Sequence, residues 1–163
     1  MFEFYGHQSG VTVMTNAQRT RVAIGAIWIS WSLFLIAFVL PATNLVSTAN
    51  TRPGDPVSGL VTFAGSIQLW GWLPILAFAE PRALLFLIFP FTNQAMFAAP
   101  LFVSCRTPVA SVFLALVFAI GGVLPWFLPG SLTGTLFSGF YVWDASFFLM
   151  ALSYCLLATD ELN

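Results

Sequence analysis

Apolar residues in this chain gather in long unbroken runs, each about as long as a bilayer is thick, instead of alternating with polar ones. Residues 22–40 (VAIGAIWISWSLFLIAFVL) carry no charge. As a helix they would rise about 28 Å, matching the hydrocarbon core. Pro41 is expected to end this helix, and residues 41–56 bring Thr, Asn, Ser, Arg52, Gly54 and Asp55 together with Pro53 and Pro56, the chemistry of a loop. Residues 108–128 form a second clean run, with the flexible pair Gly121-Gly122 and Pro125 near its end. After a short turn at 128–135 (LPGSLTGT), residues 136–158 form the last run, closed by a polar tail at 159–163.

Two segments are less regular. Residues 83–104 hold Pro90, Asn93, Gln94 and Pro100, so a kinked helix is expected. Residues 58–79 (SGLVTFAGSIQLWGWLPILAFA) are long enough to span, yet contain three glycines, Gln68, Trp70, Trp72 and Pro74. Tryptophan prefers the headgroup level to the bilayer centre, which favours an interfacial or re-entrant segment here over a straight span. The expected fold is therefore an all-α integral membrane protein in a single domain, residues 1–163. Four transmembrane helices lie at 22–40, 83–104, 108–128 and 136–158. Segment 58–79 is an interfacial or re-entrant addition, or a fifth span.

Composition agrees. Of 163 residues, 59% are hydrophobic and 7% charged, with eighteen phenylalanines and six tryptophans. A soluble surface normally needs about a quarter of residues charged, whereas hydrocarbon tolerates Phe outside and penalises each charge. The net charge of −1 offers no basic face for nucleic acid. The five cations are all arginine: Arg19, Arg21, Arg52, Arg82 and Arg106. They divide three against two across the membrane whether four or five spans are counted, so the positive-inside rule barely orients the chain; four spans with the C-terminus inside is the preferred reading. The first run is longer than a signal-peptide core and its arginines start late, so it is read as a retained helix. Arginine without lysine points to a GC-rich bacterial genome and hence the inner membrane.

Few residues offer chemistry. Asp144 lies well inside the last run, in Tyr141-Val142-Trp143-Asp144. An intramembrane carboxylate is either a protonatable group on an ion path or an interfacial acceptor for a neighbouring helix. Asn93 and Gln94, behind Pro90, suit interhelical hydrogen bonds or contact with a headgroup or pigment. Glu80 and Arg82 flank Pro81 at an expected turn, where an interfacial ion pair is the simplest account. Trp28, Trp31, Trp70, Trp72, Trp143 and Tyr141 are expected interface anchors. His7 is the only histidine, and the two thiols, Cys105 and Cys155, are fifty residues apart, so no metal site is expected. The same residues assemble no phosphate loop and no nucleophile–base set, so enzyme activity is not expected. The sequence requires no cofactor, though its aromatic load would suit a hydrophobic pigment or lipid.

Short connections leave no room for a soluble domain, and so little charge gives a weak grip on water. Both features suit an accessory or scaffold subunit of a larger assembly, such as a bioenergetic one, packed against other membrane subunits and lipids. The alternative is a small homo-oligomeric ion channel or carrier using Asp144.

Overall fold

The computed structural model describes residues 15–43, 56–64, 67, 88–104, 107–127 and 136–161. The structure is built of helices α1 (Asn16–Ala37), α2 (Ile88–Phe102), α3 (Pro108–Val123) and α4 (Ser138–Glu161), with short strands β1 (Pro41–Thr43) and β2 (Val57–Ser58). A 3-10 turn, Leu124–Phe127, extends α3. Residues 59–64 are helical as well.

Three of these elements are long and apolar enough to cross a membrane: Asn16–Ala37, Pro108–Phe127 and Ser138–Thr159. They make the chain an integral membrane protein by length and composition. The described part of α2 has 15 residues, short of the roughly 20 that a span needs. Most of segment 58–79 lies outside the described residues, as do Glu80, Arg82, Trp70, Trp72, His7 and Cys105.

The ends of the helices differ from expectation for local reasons. Helix α1 starts ahead of its apolar run because Thr15 caps it: Thr15 Oγ1 accepts from the Gln18 amide at 3.3 Å, while Gln18 Oε1 accepts from the Thr15 amide at 3.0 Å. This reciprocal pair satisfies donors that a helix start leaves free. The helix also stops before Pro41, which instead opens β1. Strand β1 pairs antiparallel with β2, Pro41 opposite Ser58 and Thr43 opposite Val57, and Thr43 bridges Leu136 at the entry to α4. The amides of Gly59 and Leu60 donate to the carbonyls of Leu40 and Phe38 at 3.0 and 2.9 Å, so backbone groups released at the end of α1 regain partners. Part of the expected loop 41–56 is thus a small sheet. The sheet follows the end of α1 and adjoins the start of α4, both of span length, which puts this end of the bundle at a membrane face.

Helix α4 is central and packs chiefly on α1 and α3. It runs antiparallel to both: Ser30 Oγ donates to the Ser146 carbonyl while Gly139 lies against Leu40 and Pro41 past the end of α1, and Gly121 faces Phe147 while Phe118 meets Tyr154. Helix α2 runs alongside α4, joined by Trp143 to Asn93 near one end and by Tyr154 to Ala99 further along. In α1 the buried positions are Ala23, Ile27, Ser30, Phe34 and Ala37, steps of three and four that form the seam of shallowly crossing helices. The core is closed by Phe34, Phe118, Phe147, Met96 and Met150, all wholly buried. Small residues at the contact, among them Ala115, Gly121, Gly122 and Ala151, are buried too and let the backbones approach, the usual basis of helix association in lipid.

Candidate functional site

The polar residues of the helices meet at the end of the bundle marked by the small sheet. Successive residues of α4 reach in different directions there. Trp143 Nε1 donates to Asn93 Oδ1 of α2 at 2.8 Å. Asp144 Oδ2 accepts from Trp126 Nε1 of the 3-10 turn at 3.1 Å. Neighbouring helical residues point about 100° apart, so one turn of α4 can hold α2 on one side and the end of α3 on the other. Asn93 and Asp144 are each only 6% exposed.

Aromatic rings surround this point. Trp126 meets Phe140 edge-on with centroids 6.0 Å apart, and Tyr141 at 6.4 Å. Phe140 also contacts Tyr141 at 5.7 Å and Trp143 at 5.8 Å. The other oxygen of the carboxyl, Asp144 Oδ1, is buried and has no hydrogen-bond partner among the described residues. An unsatisfied buried acceptor costs about 1–3 kcal/mol, and therefore requires an explanation.

Deeper in the bundle the polar groups are spent on helix contacts. Tyr154 OH donates to the Ala99 carbonyl at 2.7 Å, and Ser146 Oγ returns to the Trp143 carbonyl of its own helix. Trp31 Nε1 reaches the Phe97 carbonyl at 3.4 Å, and its ring packs edge-on against half-exposed Trp28.

The structure thus brings Asn93, Trp143, Tyr141 and Asp144 into one region. It leaves Gln94 exposed beside them and places Trp28 and Trp31 apart on α1. Cys155 is exposed on α4. Sequence reasoning passed over Trp126, the residue that donates to Asp144. A tryptophan closing an apolar run is itself an interfacial signal, and that would have found it. The pairing partner was beyond reach. Ser30, Ser146 and Tyr154 were missed too, because one hydroxyl in an apolar run looks the same whether it faces a helix or lipid.

Comparison with protein-family models, curated proteins and solved structures gives no match for this chain.

Proposed function

We propose that this protein is a non-catalytic accessory or scaffold subunit of a larger membrane assembly, packing partner helices, lipids or hydrophobic cofactors. The observation that carries this reading is the filled interior. Phe34, Phe118 and Phe147 pack edge-on or tilted around the centre, with Phe147 centroids 6.1 Å from each of the other two, and none of the three is exposed. A packed aromatic axis supplies rigidity and shape, and leaves a transported ion no polar route among the described helices. Outside, large apolar side chains cover the helices, Val109 at 80% and Leu116 at 57% exposure among them. Such a surface suits lipid and partner helices alike. The proposed location is a bacterial inner membrane, on the arginine-only cation content.

The test is gentle extraction of the native membrane, separation by size under native conditions, and mass spectrometry of whatever carries the chain. Migration within a large complex of fixed composition is expected, and the partners would name the process. A lone monomer or small homo-oligomer would overturn the reading and favour the channel or carrier, to be pursued by flux measurements on Asp144→Asn.

A further inference from the structure

Asp144 and its surroundings have the composition of a cation site. Phe140 and Tyr141 lie one turn before Asp144 on the same side of α4, each in contact with Trp126, and aromatic ring faces carry partial negative charge. An organic cation would gain from both such ring faces and the carboxyl. The carboxyl is only half used: Oδ2 takes the Trp126 indole N–H, while Oδ1 has no donor among the described residues.

Position narrows the ligand. Asp144 lies six residues after Ser138 at the start of α4, a rise of about 9 Å. That start is joined to the small sheet through the Phe137 amide and the Ala42 carbonyl at 3.0 Å, and the sheet belongs at a membrane face. The site is therefore at the depth of headgroups and the first carbons of the acyl chains. Its cover is open to the surroundings: Trp126 is 56% exposed and Tyr141 52%.

We propose that Asp144, with Phe140 and Tyr141, forms a binding site for a primary ammonium group, reached by displacement of the Trp126 ring that covers it. The unpartnered oxygen selects the kind of cation. A primary ammonium brings N–H donors that Oδ1 lacks, while a quaternary ammonium has none to offer. Both would interact with the rings, so discrimination comes from the hydrogen bond. The site stands whether or not the chain serves as an accessory subunit.

The test uses the full chain in nanodiscs containing equal amounts of phosphatidylethanolamine and phosphatidylcholine of the same acyl composition. After transfer to detergent, lipid retained on the protein is counted by native mass spectrometry. Wild type should retain phosphatidylethanolamine over phosphatidylcholine by about tenfold, the ratio that corresponds to 1.4 kcal/mol. Asp144→Asn should lose the preference with its helical circular dichroism unchanged. Tyr141→Leu, at an exposed position, provides a second reading should the first variant fail to fold: it removes a ring that both headgroups share and should reduce retention of both lipids with their ratio unchanged. Equal retention of the two lipids by wild type overturns the proposal. So does a preference that persists in Asp144→Asn or, where only that variant folds, undiminished lipid retention in Tyr141→Leu. Free ethanolamine distinguishes the sources of the ammonium: displacement of the lipid assigns the site to the amine alone, and retention against it assigns the site to the intact headgroup.

Discussion

Gly121 is where the packing of α3 on α4 can be measured most directly. A methyl group added there would lie 2.6 Å from both Cδ1 and Cε1 of Phe147 and 3.1 Å from Cβ of Thr92. Comfortable carbon–carbon contact is about 3.5–4.0 Å, so the overlap approaches 1 Å at two ring atoms. Phe147 has nowhere to go: it is wholly buried, with Trp143 4.6 Å away between centroids and Phe34 and Phe118 on other sides. Overpacking of this kind costs about 1–3 kcal/mol. Replacing glycine by alanine also brings a helix-propensity gain of about 1 kcal/mol, which would mask part of the loss. Gly25 removes that ambiguity. It too is in a helix interior, but an added methyl there meets nothing within 4 Å. The propensity gain is common to Gly121→Ala and Gly25→Ala, so the difference between them isolates the steric term. Gly121→Ala should be less stable than Gly25→Ala by about 1–3 kcal/mol. The assay is reversible unfolding in mixed micelles with increasing SDS, followed by circular dichroism. Adding Phe147→Leu to Gly121→Ala should recover part of the loss by freeing volume beside the new methyl. Equal stability of the two alanine variants would refute the close approach of α3 to Phe147.

Two further outcomes are expected. Tyr154→Phe removes the hydroxyl that joins α4 to the Ala99 carbonyl and should cost about 0.6–2 kcal/mol in the same unfolding assay. Thr15→Ala breaks the capping box of α1 and should weaken the helix start by about 0.5–2 kcal/mol. Because that helix end is exposed, the effect should appear as faster hydrogen exchange in the first turn of α1, with little change in exchange near Phe34.

The small sheet shows where local reading falls short. Proline, glycine and polar residues between 41 and 56 look like a loop, and nothing in Pro41-Ala42-Thr43 alone announces a strand. The pairing arises because α1 and α4 come together at that end. Gly139 permits the approach, since a Cβ there would lie 2.7 Å from the Pro41 carbonyl oxygen. Helix boundaries shifted for a related reason: capping by Thr15 and pairing of the chain after Ala37 are decided by hydrogen bonds, to which hydropathy is blind.

By itself, the sequence determined the solvent and the three long apolar helices. A charge-poor run of about 20 apolar residues has essentially one solution in lipid, a helix that satisfies its own backbone. Tertiary structure alone decided which face of each helix turns inward. Helices α1 and α4 are apolar nearly all round, and lipid supplies no polar contrast to mark an inner face. What separates Phe34, wholly buried, from Ile29 and Ile36, 59% and 48% exposed, is shape and fit against other helices. The same holds for Trp126 with Asp144 and Trp143 with Asn93. Each pair joins residues distant in sequence, brought within hydrogen-bond reach only by the rotation and register of packed helices.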